Sequence, residues 1–367
     1  MNEREAYVAL NLMADIGPVG VRSLVTALGS PQAIFTAMKA EFLRAEGIGP
    51  AQADKIIAQR DSLQPDEEIK RAERLGAQIL TPVDDAYPKP LLQIHDPPLA
   101  LYVFGTLEPG DKRAIGVVGS RHTTLYGREC SEKLSYQLVQ SGFVVVSGLA
   151  RGIDTAAHRG ALKGGGRTLA VLGGALDCLY PPENADLARE IAQHGAVLSE
   201  FPLGRKPDKT TFPMRNRIIS GLSMGILVVE AGLGSGALIT VDQALDQGRT
   251  VFAVPGRIDS PSSKGTHQLI RNGARLVENV DDILDEFEFL IPPGPRNRDT
   301  AATESKRPPL LPEEERIVHA LEDGEQDLDT LTRATGLSPA RVSALLIGLE
   351  MKRMVRMQPG RIVELIR

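Results

Sequence analysis

Residues 113–148 read RAIGVVGSRHTTLYGRECSEKLSYQLVQSGFVVVSG, and this stretch decides the fold. Two short apolar runs, RAIGVVGS from Arg113 and FVVVSG from Phe143, enclose GRECSEKLSYQLVQSG, a segment of helical pattern. An apolar run without polar alternation and rich in valine is what a parallel strand buried on both faces requires. The unit is strand, helix, strand. The same alternation runs from about Gln78 to Glu288. LALYVFG, RTLAVLGG, GAVLSE, GILVVEA and TVFAVPG are further strands, and GIDTAAHRGALKGG, ADLAREIAQHG and ALITVDQALDQG are helices between them. Repeated alternation implies right-handed βαβ crossovers. The expected fold class is α/β, an extended Rossmann-like open parallel sheet, assigned to residues 76–290.

Outside this sheet the pattern changes on both sides. Residues 1–75 read as short helices with two similar turns, DIGPVGVRSLVTAL from Asp15 and EGIGPAQADKIIAQR from Glu46. They resemble a helix-hairpin-helix (SAM-like) pair, whose open helix N-termini can hold a DNA phosphate, although a plain helix turn explains the same residues. From Ile291 to Glu314 the sequence IPPGPRNRDTAATESKRPPLLPEE lacks apolar periodicity, so 291–312 is expected to be a linker. In residues 313–367, EEERIVHALEDG, LDTLTRATG and SPARVSALLIGLEMKR predict three helices, with Ser338 before Pro339 as a helix start. MVRMQPGRIVELIR then predicts a β-hairpin around Pro359 and Gly360, completing a winged helix. Residues 308–367 hold eight basic and ten acidic side chains, which favours protein contact or internal packing over DNA as its role.

A chain of 367 residues is long enough for two or three domains, and 42% hydrophobic with 24% charged residues is the composition of a globular protein. No apolar run reaches the roughly 18 residues of a membrane helix, and MNEREAYVALNLM lacks the pattern of a signal peptide. A cytoplasmic location with no membrane contact is expected. Cys130 and Cys178 match no CxxC pattern and read as reduced thiols. The net charge of −5 argues against a surface that coats nucleic acid everywhere, yet RKPDKTTFPMRNR, from Arg205 to Arg217, sets five cations against Asp208 alone. An anionic partner could be held there.

Ligands of an open parallel sheet bind beyond the carboxyl ends of its strands, where glycine turns lead into helix N-termini. Here Gly119, Ser120 and Arg121 follow one strand, Ser147, Gly148 and Arg151 a second, and Gly234, Ser235 and Gly236 a third. Together they predict a phosphate-binding surface. The dinucleotide fingerprint GxGxxG is missing, because VVGSRHTTLYG has one early glycine and then Arg121. That arginine suits a phosphate of a polymer better than a buried pyrophosphate. No cofactor is expected. Asp154 and His158, four apart in GIDTAAH, read as a helix-start Asp and a hydrogen-bonded His, not as a metal pair. Neither Ser120 nor Ser147 has the GxSxG setting of a hydrolase, so no catalytic residue and no metal site are assigned.

GVVGSR, SGLARGIDTAAHRGAL, TLAVLGGALDCLYPPEN, SEFP, FPMRNRIISGLS, ILVVEAGLGSGALITVDQAL, GRTVFAVPG and KGTHQLIRNGA follow one another from Gly116 to Ala274. In this order they resemble the DprA/Smf family, DNA-processing protein A. The resemblance implies single-stranded DNA binding, protection of DNA in natural transformation, loading of the RecA recombinase, and a homodimer. It implies that Arg121, with Gly119 and Ser120, contacts a DNA phosphate, and that Lys209 and Phe212 supply charge and a ring for base stacking. Arg215 and Arg217 belong to the same basic segment and are assigned with them. Two other readings are weighed. Phosphoribohydrolases on a similar sheet carry PGGxGT before a catalytic Glu, whereas this chain has EAGLGSGALIT. A protein adaptor would use the terminal modules alone.

Overall fold

The valine-rich runs become the centre of a nine-stranded sheet: β1 Ala77–Leu80, β2 Leu101–Gly105, β3 Ala114–Val118, β4 Val144–Ser147, β5 Thr168–Val171, β6 Ala196–Ser199, β7 Gly225–Val228, β8 Thr250–Ala253 and β9 Arg275–Leu276. The computed structural model describes residues 1–290, 310–321, 324–352, 354–358 and 362–365. Strand order is β1-β2-β6-β5-β4-β3-β7-β8-β9. From β6 to β9 all neighbours are parallel. The chain builds outward from β3 to β6 and then returns to place β7 on the other side of β3. The two sets of crossovers therefore diverge between β3 and β7, which leaves a crevice at their carboxyl ends.

The expectation of one parallel sheet is corrected at its edge, where β1 pairs antiparallel with β2 and β2 antiparallel with β6. LALYVFG looks like a parallel strand because both its faces are covered. Tyr102 is buried with Val8, Ala72 and Ile79, so helices from the start of the chain close over this end. The Tyr102 hydroxyl donates to buried Glu68 at 2.9 Å, and that carboxylate also accepts the Leu203 amide at 2.7 Å.

Those helices are α1 Glu3–Leu12, α2 Pro18–Leu28, α3 Lys39–Phe42, α4 Pro50–Arg60 and α5 Pro65–Arg74. In the two similar turns, Asp15 (φ 66°) and Gly47 (φ 77°) take matching left-handed positions. Gly17 and Gly49 then cap helices that start with Pro18 and Pro50, where a missing amide costs nothing. Leu24, Ile34, Phe42 and Ile56 form the core beneath them. This region and the sheet make one compact unit, Met1–Leu290. Its remaining helices are α6 Lys89–Leu92, α7 Leu125–Gln140, α8 Ile153–Lys163, α9 Ala185–His194, α10 Thr211–Leu222, α11 Ala237–Asp246, α12 Lys264–Arg271 and α13 Asp281–Leu284. Among the described residues no helix is long and apolar enough to cross a membrane.

The second unit, Ile291–Arg367, contains α14 Pro312–Ala320, β10 Gln326–Asp327, α15 Leu328–Thr335, α16 Pro339–Met351, β11 Val355–Gln358 and β12 Ile362–Leu365. Its three strands pair antiparallel in the order β10-β12-β11, and Ile317, Leu331, Val342, Leu346 and Val355 fill the core of a winged helix. Two-residue β10 is too short to leave a pattern in sequence. Ser338 accepts from the Arg341 amide and so caps α16. Linker residues 291–309 and the turn at Pro359 and Gly360 lie outside the described residues.

Candidate nucleic-acid interface

A crevice of about 540 Å³ lies at the switch point, lined by the loop after β3, the start of α8, the entry to α10 and the glycine loop before α11. Gly119 makes the β3 loop possible: a Cβ there would stand 2.6 Å from Ile153 Cγ1 and 2.8 Å from the Glu230 carbonyl oxygen. The Ser120 amide donates to that same carbonyl at 2.7 Å, while its hydroxyl accepts from the His122 amide at 3.1 Å. Ser120 thus closes the turn that presents Arg121. The Glu230 carboxylate ties the far side of the loop by accepting the Thr123 hydroxyl and the Thr124 amide. Burial alone would raise this carboxyl, but hydrogen bonds from Ser262, Thr123 and Thr124 outweigh it and hold it below the usual range.

Arg121 is exposed and makes no hydrogen bond or ion pair among the described residues. Its guanidinium lies over the Phe212 ring, 4.6 Å from the centroid. Phe212 sits in the first turn of α10 with its edge on the backbone of Gly173, where a Cβ would come within 2.6 Å of ring Cδ1. Lys209, one turn earlier, is exposed and equally unpaired among the described residues. Across the crevice, Gly234 and Gly236 are exposed, and a Cβ on either would meet no protein atom within 4 Å. Ser235 accepts from the Ala237 amide at 3.3 Å, which steadies the start of α11.

Several assigned residues are corrected. Ser147 is buried, its hydroxyl spent on the Val117 carbonyl at 2.6 Å. Gly148 is buried as well; its amide donates to Asp154 and its carbonyl accepts from Arg215. Arg217 is 4% exposed and bonded to Glu200 and Asp96, so it joins segments of the fold and has no surface to offer DNA. Arg215, also 4% exposed, donates to the carbonyls of Gly148 and Val171 beneath the crevice floor. Burial lowers its pKa to about 10, which leaves it charged at neutral pH as a fixed positive floor. Arg205 pairs with Asp208 at 2.5 Å, and Asp208 also accepts the amides of Thr210 and Thr211 at the start of α10. Of five cations in that segment, Lys206 and Lys209 remain for a ligand. The charge count treats the segment as uniformly open, but from Thr211 it is helix, and a helix with one face on a sheet buries its arginines.

Arg151 is exposed and pairs with Glu183, and its guanidinium stands 5.6 Å from the Tyr180 ring centroid. Asp154 accepts from the amides of Gly148 and Ala150, and His158 Nδ1 is 2.8 Å from Thr168 Oγ1, as a helix-start Asp and a bonded His require. Tyr180 and Glu230 were missed. Each has a signal in sequence: an aromatic beside Pro181 and Pro182 in the loop between β5 and α9, and an acid directly after the apolar run of β7.

The model of the DNA recombination-mediator protein A family matches residues 78–288, the winged-helix model of the same family 301–361, and a SAM-like helix-hairpin-helix tandem 10–61. The chain belongs to the DNA recombination-mediator protein A family. Protein Smf of Synechocystis is 36% identical over 98% of this chain and 98% of its own length. DNA processing protein DprA of Streptococcus pneumoniae is 47% identical over 56% of this chain and 73% of its own length. The solved structure of the pneumococcal family member superposes with a TM-score of 0.68 at 35% identity, covering 79% of this chain and 99% of that one. DNA processing protein A from Helicobacter pylori, whose structure is described for its single-stranded DNA binding mode, gives a TM-score of 0.53 at 29% identity over 59% of this chain and 97% of that one.

Proposed function

We propose that the crevice between β3 and β7 grips the backbone of single-stranded DNA. The observation that carries this reading is the pairing of Arg121 with Phe212 at the crevice mouth, an aromatic ring beside a cation that, like neighbouring Lys209, meets no carboxylate among the described residues. Polymers of phosphate and base are recognised by that combination. Gly234 and Gly236 leave amides open on the facing loop, and Arg215 adds a fixed charge below. The description of the Helicobacter pylori relative supports the same ligand. Arg151 extends the surface.

The finer reading is that the chain protects such DNA in the cytoplasm, delivers it to the RecA recombinase during natural transformation and homologous recombination, works as a homodimer and turns over no substrate. Its support is family membership, the absence of a PGGxGT pattern in the sequence, and the burial of Ser223, the serine of the GxSxG stretch GLSMG, whose hydroxyl donates to the Ile219 carbonyl at 2.7 Å. The test of the DNA reading is oligonucleotide affinity at several salt concentrations. If four to six phosphates are held, log K falls with log salt at a slope of about −3 to −4, from about 0.7 per phosphate. A flat response overturns the reading. Measured hydrolysis of a nucleoside monophosphate would overturn the non-enzymatic part alone.

A further inference from the structure

The Phe212 ring is not a free stacking platform. Arg121 covers one face and Gly173 abuts the ring edge. The next ring outward is Tyr180, 6.2 Å from Phe212 between centroids and tilted by 53°. Tyr180 is 44% exposed, and Arg151 lies against it with Nη1 donating to the phenol oxygen at 3.3 Å. The row therefore runs cation, ring, ring, cation, from Arg121 in the crevice to Arg151 outside it. Arg151 spends Nε on Glu183 and Nη1 on Tyr180, and the rest of its five donors have no partner among the described residues.

The geometry points to a second nucleotide subsite, in which a base of single-stranded DNA stacks on Tyr180 and its phosphate meets Arg151. This rests on the single-strand reading above and extends it along the strand. Stacked nucleotides rise by about 3.4 Å, so a base carried to Tyr180, whose ring lies 6.2 Å beyond that of Phe212, is pulled off its neighbour at the crevice mouth. A duplex cannot do this without losing its pairing. The row thus supplies a reason for preferring single strands, and it favours a flexible thymine strand over a self-stacked adenine one.

The test compares the full-length parent, Tyr180→Ala, Tyr180→Leu and Tyr180→Phe on a twenty-nucleotide thymine strand and on an abasic strand of equal length. Removing the ring is expected to weaken binding of the thymine strand about tenfold, within the range for one stacked base. Tyr180→Leu behaves like Tyr180→Ala, since it keeps bulk without a π face, and Tyr180→Phe stays within about twofold of the parent. On the abasic strand all four proteins bind alike. Ring-less variants that hold the thymine strand as the parent does overturn the subsite, as does an equal loss on both strands, which would mark Tyr180 as a support for Arg151. A parent that fails to bind the thymine strand overturns the single-strand reading as well.

Discussion

The guanidinium of Arg121 stands 4.6 Å from the centroid of Phe212, joining the loop after β3 to the first turn of α10 across the mouth of the crevice. An exposed cation–π contact of this kind contributes about 0.5–1 kcal/mol, too little for the fold to depend on it. Arg121→Ala and Lys209→Ala are therefore expected to leave the thermal midpoint close to that of the parent. Each is expected to weaken single-strand binding about tenfold and to lower the salt slope by about 0.7. Titrations at two salt concentrations with calorimetric unfolding check both halves. Two variants that bind as the parent does would remove the crevice from consideration.

Glycines around the crevice divide into two kinds, and substitution separates them. At Gly119 an added methyl meets Ile153 and the carbonyl of Glu230, so Gly119→Ala is expected to destabilise by about 1–3 kcal/mol, as overpacking does. At Gly234 and Gly236 the methyl meets nothing. Gly234→Ala and Gly236→Ala should unfold like the parent yet bind single strands more weakly, because the methyl would stand where a phosphate approaches the amides. Unchanged affinity in both would show that DNA does not touch this loop.

How much could be read beforehand follows from what leaves a one-dimensional trace. The valine runs at Ile115–Val118 and Val144–Val146 gave the parallel strands, because burial on both faces removes polar alternation. The same cue misassigned the direction of β2, since Tyr102 is covered on one face by α1 and α5 while Val103 packs on the other into the main core with Leu91 and Ile94. Arg121 and Lys209 were legible as cations in turns. Arg217 was not legible as a buried group, because its partners Asp96 and Glu200 are distant in sequence and a charge count cannot see pairing. Gly148 followed a strand as expected, but its amide turned inward to Asp154.

Buried His158 gives a prediction in pH. Thr168 donates its hydroxyl proton to the Val145 carbonyl at 2.7 Å, so it accepts from His158 Nδ1–H, while buried Nε2 has no partner among the described residues, which suits a neutral ring. Burial, reinforced by the Arg215 charge, lowers the pKa of His158 to about 3, against about 6.5 in an unfolded chain. Between those values the unfolded state binds the extra proton. The contribution is fully present above about pH 6.5 and is lost as pH falls, by up to about 1.4 kcal/mol per unit. Asp154 and Glu200, raised by burial, act in the opposite sense. The expected result is therefore a difference: urea unfolding of His158→Gln between pH 6.5 and 4.5 shows a weaker acid loss than the parent. Parallel pH profiles would contradict the assignment.

The winged helix should be dispensable for gripping DNA. On α16 the basic residue is Arg341, and its guanidinium is held by Glu313 at 2.5 Å. Lys352, just after the helix, pairs with Glu314 at 2.7 Å, and Arg356 on β11 faces Glu364 at 3.7 Å. A helix that reads or tracks DNA presents cations to phosphates, whereas these are answered by carboxylates of their own unit. Arg121, Lys209, Phe212 and the open glycine loop all belong to Met1–Leu290. A protein cut after Leu290 is therefore expected to bind single-stranded DNA within about threefold of the full chain, or about 0.7 kcal/mol. Circular dichroism and sedimentation confirm that the shortened protein is folded and has the parent's assembly state before affinities are compared. A loss beyond tenfold, about 1.4 kcal/mol, would mean that the acidic unit releases its ion pairs to become a DNA-binding arm, and that its Arg341–Glu313 pair opens on binding.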